Sequence, residues 1–142
     1  MAIYSIGVRS VNANITQAFV EIYTPATLGI RVMEIGICQL AAAVVAIGLG
    51  RPAAQGLIPA TTSLFQAEQS TSDPAAKTTL ALSWGTSPTV PVVFLRRVNT
   101  ALAASGVIWT FPRGLYLPPS ASLVLWNITA GSAADVWFVI DE

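Results

Sequence analysis

Residues able to do chemistry are scarce in this chain. Seven carboxylates, Glu21, Glu34, Glu68, Asp73, Asp135, Asp141 and Glu142, are scattered with no spacing that forces two together. Folding could still bring an acid/base pair together, but the sequence gives no support for one, and these residues read as strand-face ion pairs, loop charges and a polar C-terminus. Histidine is absent, which excludes His-based triads and His-ligated metals and removes the commonest general base near neutral pH. Cys38 is the one cysteine. It allows neither an internal disulfide nor a zinc cluster, and with no base to activate it, it reads as a small buried hydrophobe. The run Gly48-Leu49-Gly50-Arg51-Pro52 has some of the glycine of a phosphate-binding turn. It lacks a third glycine and a helix start, and Pro52 withholds a backbone donor, so a tight turn is expected. Asn14-Ile15-Thr16 and Asn127-Ile128-Thr129 fit the glycosylation sequon, a chance match given the absence of a signal-peptide form in residues 1–5. No catalytic, cofactor-binding or metal-binding residue is therefore expected, and the chain reads as a non-enzyme.

The arginines and aromatics carry more information. Six of the seven basic residues are Arg, the cation suited to protein interfaces through bidentate pairing and stacking, where Lys is depleted. Arg96-Arg97 inside an apolar strand must put one charge on each face. Trp109, Phe111 and Arg113 fall at alternate positions, and Trp and Arg dominate binding hot spots. Together with Trp126 and Trp137 these are the interface candidates; the competing reading makes Trp109 and Phe111 core residues and Arg113 a turn charge.

The elements that must carry these residues are short strands. Candidates are Ile3–Arg9, Ala18–Tyr23, Gly29–Leu40, Ala43–Leu49, Ser63–Gln66, Thr78–Trp84, Val92–Val98, Val107–Phe111, Ser122–Ile128 and Asp135–Ile140, rich in β-branched and aromatic residues. Breakers fall between them, among them Thr24-Pro25, Arg51-Pro52, Pro112-Arg113-Gly114 and Pro118-Pro119-Ser120. Ala67–Lys77, the most polar stretch, is expected to be an exposed loop. Alternation along Arg31–Cys38 puts Arg31, Met33, Ile35 and Ile37 on one face and Val32, Glu34, Gly36 and Cys38 on the other, one charge per side. Leu123–Ile128 and Val136–Ile140 are apolar on both faces. In a small sandwich each sheet has one inner face, so a neighbouring subunit is the favoured cover for the other. The expected fold is all-β: a single-domain antiparallel β-sandwich over residues 1–142.

Composition bears on partners. The 142 residues are 54% hydrophobic and only 10% charged, with seven basic and seven acidic side chains, against about 25% charged in an ordinary domain. A folded monomer of this size exposes roughly 7,000 Å², leaving about one charge per 500 Å², and apolar patches above a few hundred Å² mark interfaces. Zero net charge and a single Lys, Lys77, leave no basic stripe for nucleic acid. The longest uncharged run, Ile35 to Gly50, falls short of the ~20 apolar residues of a spanning helix and contains Gln39 and three glycines, so no membrane span is expected.

Several segments carry a resemblance. Arg31-Val32-Met33-Glu34-Ile35-Gly36, Gly48 through Gly56, Pro91-Val92-Val93-Phe94-Leu95-Arg96-Arg97 and Phe111-Pro112-Arg113-Gly114-Leu115-Tyr116-Leu117-Pro118 look like small structural proteins of tailed bacteriophages. Ser122-Leu123-Val124-Leu125-Trp126-Asn127 resembles the closing strands of jelly-roll virion proteins. The resemblance implies a jelly-roll-like sandwich on the virion: a capsid decoration (cement) protein, a homotrimer bound to the major capsid protein at the capsid surface and made in the host cytoplasm. The alternative is a tail-fibre or baseplate module binding host-surface glycans through Trp84, Tyr116 or Trp137.

Overall fold

A computed structural model describes residues 2–10, 17–40, 44–59, 62–100, 105–129 and 133–142, with the side chains of 58 and 59 excepted. The strands are β1 (Ile3–Arg9), β2 (Gln17–Tyr23), β3 (Ile30–Gln39), β4 (Ala46–Gly50), β5 (Leu57–Pro59), β6 (Thr62–Leu64), β7 (Gln66–Ala67), β8 (Thr79–Ala81), β9 (Trp84–Thr86), β10 (Phe94–Asn99), β11 (Gly106–Leu117), β12 (Ser122–Asn127) and β13 (Ala134–Asp141). They form two antiparallel sheets, β11-β3-β13-β1-β7 and β10-β4-β12-β2-β8-β6, and a small β5-β9 pair.

The winding follows from which strands pair. β1 pairs with β13, β2 with β12, β3 with β11 and β4 with β10. The first and last thirds of the chain thus run side by side as one long antiparallel ribbon, which alternates between the two sheets as it wraps. That is a jelly-roll winding, the form the resemblance implied, of the antiparallel β-sandwich expected from the strand pattern. Residues 51–93 are the excursion at the far end of the ribbon.

Period-two alternation builds the core. Tyr4, Ile6 and Val8 of β1 face inward opposite Ile140, Phe138 and Val136 of β13. Leu123 and Leu125 of β12, Ile47 and Leu49 of β4, and Phe19, Val20 and Ile22 of β2 come in from the other sheet. The exposed surface is 7028 Å², matching the roughly 7,000 Å² of a compact monomer of this mass.

Irregularities change which face a residue meets. Met33 is an extra residue in β3: Val139 of β13 pairs with Glu34 while the next residue, Ile140, pairs with Val32. Strict alternation is therefore wrong here. Val32 joins Ile35 and Ile37 in the core, whereas Arg31 and Glu34 both register with outward positions, Asp141 and Val139. The Pro112-Arg113-Gly114 breaker is likewise no strand end. β11 continues through it, absorbing the extra residues in a bulge between Thr110 and Leu115, with Gly114 in the left-handed region at φ 68°. Gly48 and Gly50 lie inside β4 and form no turn. Their missing side chains admit the Phe94 ring and Pro91 against the sheet. Cys38 is half-buried on the outer side of β3, outside the apolar core.

The two-sided apolar strand β12 also has a different cover from the one expected. Val124 and Trp126 pack with Ala18 under Trp84, Phe94 and Ile128, so the β5-β9 pair, through Trp84, adds a partial third layer over the second sheet, while β6, β7 and β8 of the same excursion join the two main sheets. Ala67–Lys77 is largely exposed, as expected, although Ala67 lies in β7 and Ala76 is buried. The Tyr4 hydroxyl donates to the Pro74 carbonyl at 2.8 Å, and Lys77 and Thr78 amides donate to the Glu142 carboxylate, fastening that loop to the sandwich. Ala43, the first residue of the expected Ala43–Leu49 strand, and Asn14 lie outside the described residues.

Candidate functional site

The interface candidates gather at one side of the sandwich. β10 and β11 are the last strands of their sheets and run past each other across the open side of the core. From β11, Val107, Trp109 and Phe111 reach inward and stay half-buried against the core; from β10, Leu95 and Val98 do the same. Arg96 pairs with Leu49, an inward position, and its guanidinium lies 5.5 Å from the centroid of the Phe111 ring. This cation–π contact caps the slot between the sheets with a charge whose stem covers apolar surface. Arg97 pairs with Gly48 and is exposed on the opposite face, so the Arg96-Arg97 pair splits as expected. Arg113 is exposed in the bulge, and its carbonyl accepts from Arg31 Nη1 at 3.0 Å. Phe111 through Leu115 line an open trough of about 400 Å³.

The same rim carries the most exposed apolar side chains. Val92 and Val93, leading into β10, are 88% and 74% exposed, and Val90 is also exposed. Pro91 between them is buried at Gly50. The next residue, Arg51, donates Nη2 to the Tyr116 carbonyl of β11 at 3.0 Å, tying the valine segment to the bulged strand. Arg31 lies 5.7 Å from the Tyr116 ring.

Two candidates lie elsewhere. Trp126 is 4% exposed beneath the third layer; the chain's own packing consumes it, which removes it from the interface set. Trp137 sits on the outer face of the first sheet. Its indole lies over Gly36, and its Nε1 donates to Glu34 at 2.9 Å. Of the glycan candidates, Trp84 is engaged within the third layer, Tyr116 is exposed at the rim and Trp137 is half-exposed.

A buried polar cluster escapes the sequence reading. Glu21 is 0% exposed on the outer face of β2, not in a strand-face ion pair. It accepts from the Tyr23 hydroxyl at 2.5 Å, the Ser122 hydroxyl at 2.6 Å and the Gly56 amide at 3.1 Å. Trp84 Nε1 donates to the Tyr23 hydroxyl at 2.7 Å. Burial pushes the Glu21 carboxyl above its ordinary range, against the pull of these donors. Burial and the Glu21 charge push the Tyr23 hydroxyl up as well. The cluster latches the third layer: one carboxylate joins β2, β12 and the Gly56 turn, and Trp84 of β9 closes it through Tyr23. The available signal was a lone Glu within Ala-Phe-Val-Glu-Ile-Tyr, apolar on both sides; its partner Ser122 is a hundred residues away.

Among the described residues, no group of three or more His, Cys, Asp or Glu converges, and no helix is long and apolar enough to cross a membrane. The fold and rim define a jelly-roll sandwich with a third covering layer and one apolar, arginine-flanked side. No protein-family model matches the chain, and no curated protein sequence or solved structure matches it either.

Proposed function

We propose that this chain is a non-enzymatic structural protein of a bacteriophage virion: a capsid decoration protein that associates as a trimer and seats on the major capsid protein at the capsid surface. The observation that carries the reading is the β10–β11 rim. There Val90, Val92 and Val93 stand out in solvent beside half-buried Trp109 and Phe111, flanked by Arg96, Arg97 and Arg113. Apolar anchors ringed by arginine are the composition of protein–protein hot spots, and the surface around them carries few competing charges. Such a protein acts by adding buried area across subunit joints, which opposes their separation under internal pressure. A contact of roughly 1,000 Å² per copy becomes strong when repeated over linked sites.

The test pairs two measurements. Light scattering on the eluting protein without detergent should give a discrete trimer. Particles stripped of the protein should lose infectivity at lower temperature or chelator concentration than decorated ones. A monomer at every concentration, together with unchanged particle tolerance, overturns the reading.

A further inference from the structure

The chain is neutral overall, yet its charges are sorted between two sides of the sandwich. Of the seven basic side chains, Arg31, Arg51, Arg96, Arg97 and Arg113 belong to the β10–β11 rim, and all five are exposed. Arg96, Arg97 and Arg113 stand on the two strands themselves. Arg31 and Arg51 reach β11 through the Arg113 and Tyr116 carbonyls. Among the described residues the one ion pair is Arg9 with Asp135, so no carboxylate of this chain neutralises the rim.

On their other side the two sheets end at β7 and β6, which follow each other along the chain and close that side through buried Phe65. Here the charge is mainly acidic. Glu68 continues β7, its amide donating to the Ile3 carbonyl at 2.9 Å. Asp73 stands in the loop that Tyr4 and Glu142 fasten down. Against these three carboxylates, Glu68, Asp73 and Glu142, this side has one cation, Lys77. Between the strands and the loop runs a groove of about 280 Å³, lined by Leu64, Phe65, Ala67, Pro74 and Ala75 together with Asp73. That is under the roughly 300–1,000 Å³ of small-molecule sites, a size suited to side chains. Leu64 is 52% exposed along it. The rim offers the opposite shape: Val92 and Val93 project from the segment leading into β10 with little of their own chain over them.

We propose that the β10–β11 rim of one copy docks in the β6–β7 groove of the next, the valines entering the groove and the arginines meeting Glu68 and Asp73. A second copy is the occupant that matches both sides at once. An unrelated acidic partner would answer the rim and leave the acidic groove without a role, whereas a copy brings apolar and basic side chains to apolar and acidic ones. Such head-to-tail contacts close into a ring or run on as a filament according to the rotation between copies. The inference rests on the self-association in the proposed function and names the two surfaces that carry it.

The test is charge reversal in the full chain, read by light scattering over a range of concentrations, with circular dichroism and the thermal midpoint checking each fold. Arg97→Glu with Arg113→Glu reverses the rim, and Glu68→Arg with Asp73→Arg reverses the groove. These side chains are exposed or half-buried, so the folds should persist. Each pair of reversals should weaken association about tenfold or more. All four in one chain should regain it, because an acidic rim then meets a basic groove. A discrete trimer with this pattern supports the contact. Open-ended growth with concentration in the same pattern also supports it, but overturns the closed trimer of the proposed function. A trimer that both pairs of reversals leave unchanged, or that all four together fail to restore, overturns the contact and leaves the trimer standing. A wild-type monomer at every concentration overturns both.

Discussion

Glu21 is the residue on which the chain's stability should turn with pH. Its carboxyl is raised by burial, so over the interval between the ordinary value near 4.3 and the raised one, the folded chain holds a proton that the unfolded chain has released. Stability from this group is therefore greatest below that interval and falls as pH rises through it. Glu21→Gln keeps the shape and removes the titration. Urea unfolding from mildly acidic to neutral pH should show the difference between variant and wild type moving in favour of Gln, by at most about 1.4 kcal/mol per pH unit inside the interval. A pH-independent difference would show that the latch is not felt as a buried charge. Asp135 acts with the opposite sign, its carboxyl lowered by the hydrogen bonds from Arg9, so its contribution is present above the ordinary Asp range and lost as pH falls. Both partners of that pair are exposed, and its effect is accordingly small.

At the scale of the element, two glycines set strand geometry. In β11, Gly114 combines φ 68° with a Cβ position 2.6 Å from the Arg31 Cβ. Gly114→Ala should cost about 1–3 kcal/mol and lower the unfolding midpoint by several degrees; an unchanged midpoint would mean the bulge rearranges freely. In β3, a Cβ at Gly36 would lie 1.9 Å from the Trp137 ring. Gly36→Ala should lift the indole, release its hydrogen bond to Glu34 and cost about 1–3 kcal/mol. A red-shifted tryptophan emission and an altered indole N–H resonance would report the release, and unaltered spectra would contradict it. Elements also differ in how legible they were. β1 falls on the expected Ile3–Arg9 because it is a regular edge-to-edge strand with one core face and one solvent face. β11 (12 residues) extends the expected Val107–Phe111 by one residue before it and six after it, through Pro112 and Gly114, because pairing with β3 on both sides of the bulge outweighs the local breaker. The short β5 went unread: three residues ending in proline carry no alternation to detect.

For the whole molecule, the question is where the apolar surplus goes. Part of it is absorbed internally, since the third layer covers β12 and takes Trp126 out of contact with solvent. The part that remains exposed includes the valines beside the rim. Val92→Asp with Val93→Asp should convert the trimer of the proposed function to a monomer while leaving folded-state spectra intact, because both side chains stand in solvent and surface changes are usually within about 0.5 kcal/mol. Persistence of the trimer would move the contact to another face.

From the sequence alone came the all-β class, the position of most long strands and the poverty in catalytic groups, because these depend on residue type and on a period of two within a single segment. The Arg96-Arg97 split was legible for the same reason. Tertiary structure decided the rest. The ribbon pairing of β1 with β13 through β4 with β10 joins segments from more than forty to more than a hundred residues apart, and no local signal encodes it. One extra residue, Met33, carried Val32 into the core and placed Arg31 and Glu34 on the same side, because a bulge reverses every facing beyond it. The cover over Trp126, the latch around Glu21 and the Arg96–Phe111 cap all arise where separate strands meet, and only the folded chain brings those strands together.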